Sequence, residues 1–143
     1  MNSYLELKKK QETERNNFPV FFAFNKEQFE EGMRKLGLEP NDTGALLKLG
    51  DTGGFIRKDD KPDFSDMLKR HYLEKKAAID ADTTGEGFIF EMFDYELSNH
   101  EYNYTRDLTD ALRAVGLTEA DIKAGATLLF GLNKAIKNQI EVL

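Results

Sequence analysis

The stretch GEGFIFEMFDYELSNHEY, from Gly85 to Tyr102, constrains the fold more than any other part of the chain. On a helical wheel begun at Phe88, Glu91, Asp94 and Ser98 fall on one narrow stripe at i, i+3 and i+7, with Tyr95 beside them. Phe88, Ile89, Phe90, Met92, Phe93 and Leu97 fill most of the remaining circumference. A helix with so broad an apolar arc must be covered on several sides, so a central buried helix is expected over residues 87–100.

Before this helix, Phe18 to Phe24 reads as a short buried strand, with Pro19 near its start, where a missing N–H is tolerated. Asn25 and Gln28 form a capping-box pair for a helix whose face is Phe29, Met33 and Leu36, ended by Gly37 and barred from resuming by Pro40. ALLKLGDTGGFIRK, from Ala45, predicts a hairpin about its glycine-rich turn, with a first arm that reads equally as a helical turn. Lys61-Pro62-Asp63 opens a helix to about Ile79 with Phe64, Leu68, Tyr72 and Ile79 as its seam and Met67 and His71 alongside.

Beyond the central helix, residues 101–105 have strand propensity, and two short helices follow, the second opened by a Thr118–Asp121 capping box with Leu117 and Ile122 as a staple. Leu129, Leu132, Ile136, Ile140 and Leu143 make the face of a last helix. The fold expected is a helix-dominated α+β domain, with about six helices around the central one and a small sheet of two to four strands. Residues 1–17 are a weakly anchored helix, because only Tyr4, Leu5 and Leu7 are apolar there, and residues 18–143 are expected to form a single globular domain.

Composition excludes several functions. The absence of cysteine removes disulfides, thiol catalysis and thiolate metal sites, which suits a reducing cytoplasm. No apolar run approaches the ~20 residues of a membrane span, and the first residues lack the apolar stretch of a signal peptide. A net charge of −6 opposes nucleic-acid binding, and 20 basic residues among 26 acidic ones do not make a mimic of DNA.

Two patterns carry chemistry. From Asp80 to Glu91 the chain reads DADTTGEGFIFE, which sets Asp80, Asp82, Thr84, Glu86 and Glu91 near the ligand positions of an EF-hand calcium loop, with Gly85 at its sharp turn. Gly87 stands where an aliphatic residue would pair two such loops, and there is no second loop, so a polar interhelical turn is the plainer reading. Glu96 and His100, at i, i+4, both project from the apolar arc of the central helix. A carboxylate beside an imidazole makes a general base or a metal-ligand pair, and equally a buried pair that satisfies its own charge. His71 has no partner visible in the sequence. Gly50-Asp51-Thr52-Gly53-Gly54 opens no helix and lacks the lysine of a phosphate loop, so it reads as a turn.

FFAFNKEQFEEGMRKLG, GGFIRK and GEGFIFEMFDYELSNHEY together resemble a family of small uncharacterised bacterial proteins associated with gut Firmicutes and with phage-like or mobile genetic elements. The resemblance runs from about Asn17 to Lys137 and places Asn99-His100-Glu101-Tyr102 in the family's signature. It implies an intracellular accessory protein and transfers no catalytic residues. The expectation is a cytoplasmic, non-enzymatic module that binds another protein and needs no cofactor. The alternatives are a metal or acid–base site at Glu96 and His100, and a calcium-stabilised loop at 80–91.

Overall fold

The computed structural model describes residues 2–141, and Leu143, expected on the last helix, lies outside them. Among the described residues there are eight α-helices and one three-stranded antiparallel sheet, a helix-dominated α+β fold. In chain order these are α1 (Ser3–Asn17), β1 (Phe21–Phe22), α2 (Lys26–Lys35), β2 (Leu46–Lys48), β3 (Gly54–Arg57), α3 (Lys61–Ala81), α4 (Phe88–Asn99), α5 (Tyr102–Thr105), α6 (Thr109–Val115), α7 (Glu119–Ala124) and α8 (Ala126–Glu141). The chain groups into two compact units, residues 10–73 and residues 1–9 with 74–143, whose boundaries fall within α1 and α3.

The unit of residues 10–73 is built on the sheet, in the order β1-β3-β2, with Phe21 opposite Phe55 and Leu47 opposite Ile56. The expected hairpin is β2 and β3. The expected buried strand at 18–24 is shorter and only half buried: Phe21 is buried while Phe22 and Phe24 are exposed, because successive side chains leave a strand on opposite faces. Phe21 stacks on Phe55 at 5.2 Å between ring centroids, and Phe29 meets both rings edge-on. Buried Met33 and Leu36 complete this core from α2. Both ends of α2 follow their sequence signals. The Asn25 side chain accepts from Gln28 N–H at 2.8 Å, and the Gln28 side chain accepts from Phe24 N–H. At the other end Gly37, at φ 75°, lets its own N–H reach Arg34 O and that of Leu38 reach Met33 O.

Within this unit α3 buries a different stripe from the expected one. Met67 and His71 are buried, whereas Leu68 and Tyr72 are exposed. The two i, i+4 pairs are adjacent on the wheel, and periodicity alone favoured the pair with more apolar surface.

The other unit surrounds α4, as expected. Phe88, Ile89, Met92, Phe93 and Leu97 are buried in one core with Tyr4, Tyr102, Leu112, Val115, Ile122 and Leu132. Glu91 and Asp94 of the narrow polar stripe are used for docking, whereas Ser98 is exposed. Glu91 accepts from the Ser3 backbone N–H and from its hydroxyl, and Asp94 accepts from Asn138 and Gln139 on α8. Contact with α8 is close because Gly131 has no side chain; a Cβ there would sit 2.5 Å from Ile89 Cγ2 and 2.7 Å from Gly85 O. The buried face of α8 is Gly131, Leu132, Ala135 and Gln139, so Leu129 and Ile140, expected on it, lie at its exposed rim. Thr118 and Asp121 form the expected capping box of α7.

The strand expected at 101–105 is instead the single helical turn α5, flanked by Glu101 and Arg106, both at φ 57°. A strand would direct Tyr102 and Tyr104 to one face. Here Tyr102 is buried and Tyr104 exposed, an arrangement that the turn provides.

Candidate functional site

Glu96 is the most deeply buried ionisable side chain of α4, at 1% exposure, and its i, i+4 neighbour His100 is the helix C-cap. Burial of a carboxylate demands partners, and α1 supplies them. Tyr4 donates its hydroxyl to Glu96 Oε2, and Lys8 Nζ lies 3.2 Å from the same oxygen. Tyr4 and Lys8 are at i, i+4, so one face of α1 covers the carboxylate. Aromatic rings complete the enclosure: Tyr4 meets Phe88 edge-on at 5.6 Å, and Lys8 Nζ stands 5.5 Å from the Tyr95 ring centroid, within cation–π range. Burial, reinforced by the hydrogen bond and the charge of Glu96, pushes the Tyr4 hydroxyl far above the ordinary phenol range, so it remains a donor.

His100 Nε2 lies 3.8 Å from Glu96 Oε1, too far for a hydrogen bond but close enough for electrostatic contact. The structure therefore brings together the two residues singled out in the sequence and adds Tyr4 and Lys8, which the sequence concealed. Chemically, one oxygen of Glu96 is occupied by two donors and the other faces His100. A general base needs an oxygen within reach of a substrate proton, and the surroundings of Glu96 direct it inward.

The loop before α4 is organised by Asp82. Its Oδ1 accepts from Thr84 N–H and Gly85 N–H at 3.2 and 2.9 Å, and its Oδ2 from Gly87 N–H and Ile89 N–H at 3.1 and 3.0 Å. Burial on its own would raise the pKa of this carboxyl, yet the backbone donors of Ile89, Gly85 and Thr84 outweigh it and hold the group below the usual aspartate range. The other carboxylates at calcium-ligand positions have separate partners. Asp80 pairs with Lys76, Glu86 with Lys134 and Glu91 with Ser3, while Thr84 Oγ1 donates to Asp82 Oδ1 and accepts from Glu86 N–H. Their carboxylates are not gathered into one group of ligand atoms.

Asp82→Ala is expected to cost about 2 kcal/mol, since the end of the loop and the first turn of α4 lose their shared acceptor. The sign with pH follows from the depressed pKa. The stabilisation is present above the pKa of the unfolded aspartate and is lost as pH falls through the lower folded value, so the gap between wild type and variant should narrow on acidification. Urea unfolding at neutral and acid pH measures it. Millimolar calcium should leave Tm unchanged, because binding would require Asp82 to give up backbone donors; a rise in Tm removed by Asp80→Ala would support the calcium loop.

His71, the other histidine, is buried on α3 with both ring nitrogens lacking a hydrogen-bond partner. Its Nε2 stands 3.5 Å from Glu14 Oε1 on α1, and its backbone oxygen accepts from the Gln11 side chain at 3.0 Å. Arg70 grips both oxygens of Glu14, at 2.9 Å from Nη1 to Oε1. That hydrogen bond and the guanidinium charge hold the Glu14 carboxyl down at about 2. Nothing local to either residue marks this pairing, because Glu14 and His71 are 57 positions apart.

The fold is a helix-dominated α+β arrangement in which the buried Glu96 carboxylate is held by Tyr4 and Lys8. The chain belongs to a family of unknown function, DUF7659, whose model matches residues 3–138. No curated protein and no solved structure matches it. Among the described residues, no helix is long and apolar enough to cross a membrane.

Proposed function

We propose that the protein is a non-enzymatic binding module, acting in the cytoplasm of a bacterium or in a phage-like element, whose recognition surface is the aromatic edge formed by β1. One observation carries this reading. Phe22 and Phe24 are 57% and 77% exposed on the same face of the chain, beside an open cleft of about 380 Å³ between β1 and α2. Large aromatic side chains placed together on a surface mark contact sites. Gln28, Glu31 and Lys35, on one face of α2, form the opposite wall.

The kind of partner follows from the backbone. β1 is an edge strand, and Ala23 donates its N–H to Gly53 O at 3.0 Å. By the alternation of an antiparallel ladder, the N–H and C=O of Phe22 then point to the unpaired side. An occupant that satisfies them must itself offer main-chain groups, as an extended polypeptide adding a strand does. Alternate apolar side chains would meet Phe22 and Phe24, and flanking charges of both signs would meet Glu31 and Lys35. The inward orientation of Glu96 favours this reading over acid–base chemistry at Glu96 and His100.

Peptides selected from a random library on the immobilised protein provide the test. Phe24→Ala, an exposed truncation expected to leave stability within about 0.5 kcal/mol, should weaken the selected peptides at least tenfold. Selection of no peptide, or equal affinity for the Phe22→Ala/Phe24→Ala variant, would overturn the reading. A screened activity lost in His100→Ala at unchanged Tm would favour the rival site.

A further inference from the structure

We infer that the β1 edge is also self-complementary: in the free protein a second copy of the chain occupies it, strand to strand about a two-fold axis, and a peptide partner must displace that copy. The inference rests on the reading of β1 as the recognition edge and adds how that edge is regulated. The backbone supplies the first observation. Ala23 donates to Gly53 O and Phe22 stands opposite Gly54, so the N–H and C=O of Phe22 leave the sheet on its unpaired side. Two antiparallel residues that face each other in this way exchange both hydrogen bonds. Phe22 of one copy is therefore a complete partner for the same residue of another, and an unpaired strand edge is a ready template for such pairing. The ladder stays short, because the Gln28 side chain already takes the Phe24 N–H.

The side chains fit the same axis. Phe21 lies against Gly32 of α2, where a Cβ would stand 2.1 Å from its ring, and exposed Phe22 and Phe24 leave the opposite face of the sheet. Edge-to-edge pairing thus gathers Phe22 and Phe24 of both copies into one aromatic cluster on that face. On the other face it lays α2 beside the second copy's α2. The contact of Gly32 with Phe21 sets the middle of α2 beside β1, with Glu31 and Lys35 to either side. These two residues are exposed, share one helix face at i, i+4, carry opposite charge and have no ion pair among the described residues. In a two-fold interface residue i meets j while j meets i, so each Glu31 meets a Lys35 of the other copy. A wall of one sign would repel its own copy. Two short strands and their rings bury well under the ~1,200 Å² of a standard interface, so the dimer is weak and exchanging, as a displaceable cover must be.

Sedimentation equilibrium of the full chain without peptide, from about 1 μM to about 1 mM, tests this over the range of a weak dimer. A monomer–dimer equilibrium is expected. Phe24→Ala should weaken it about tenfold or more, since each dimer loses two aromatic anchors. Glu31→Lys and Lys35→Glu each set like charges together and should weaken it about fivefold or more. An equimolar mixture of these two variants should associate at least as well as wild type, because every cross-pair then sets a lysine against a glutamate. A monomer at every concentration, or a mixture no better associated than its parts, would overturn the inference. Peptides bound by a chain that stays monomeric would overturn it and leave the peptide reading intact. A charge-dependent dimer for which no peptide is selected would uphold it and end that reading.

Discussion

Glu96→Ala is expected to lower the unfolding free energy by about 3 kcal/mol, leaving a cavity in the core and a buried hydroxyl without its acceptor. The Glu96 side chain is 1% exposed, and the Tyr4 hydroxyl that it accepts from is buried with it. Lys8 is partly exposed and can turn its ammonium to water, so the loss falls on Tyr4 and on packing. Tyr4→Phe removes the donor and leaves a buried carboxylate short of one hydrogen bond, at a cost of about 2 kcal/mol. The two changes remove the same interaction, so their effects should be less than additive in the double variant. Urea unfolding of the four proteins measures the coupling. Wild-type stability in Glu96→Ala would mean that the carboxylate is held for chemistry instead of for the fold.

Phe93→Ala is expected to cost about 3–5 kcal/mol, the range for truncating a fully buried aromatic ring. Phe93 is 0% exposed on α4, which packs against α6 and α8, so the cavity would lie where these helices meet. Collapse around it is restrained by the close approach of α8 at Gly131. Equilibrium unfolding in urea should show a lower midpoint with the slope preserved. A loss under about 1 kcal/mol would mean that α4 is not the organising helix of its unit.

Local signals in the sequence translated into structure well. The Asn25 cap, the Gly37 stop, the Thr118–Asp121 box and the broad apolar arc of α4 each depend on residues within a few positions of one another. Distant pairings did not show. Tyr4 and Glu96 are separated by 92 positions, and nothing near Tyr4 marks its hydroxyl as the partner of a buried acid. The calcium-loop pattern matched by spacing, but spacing does not say where a carboxylate points, and Asp82 points at backbone amides. On α3, Met67 with His71 and Leu68 with Tyr72 share the same period, and only the tertiary packing chooses between them. Residues 101–105 have the composition of a strand, yet the burial of Tyr102 alone calls for a turn. The aromatic edge was hidden too: a run of phenylalanines suggests burial, yet Phe22 of β1 and Phe24 just beyond it are both exposed.

The proposal that recognition takes place on this edge is tested most directly by mapping a selected peptide onto the backbone amides of the isotopically labelled protein by NMR. The account predicts shifts confined to residues 20–24, the facing residues 28–35 of α2 and the adjoining turn at 52–55, with a new protected amide at Phe22. Shifts centred on Lys8, Glu96 and His100, with residues 20–24 unmoved, would contradict it.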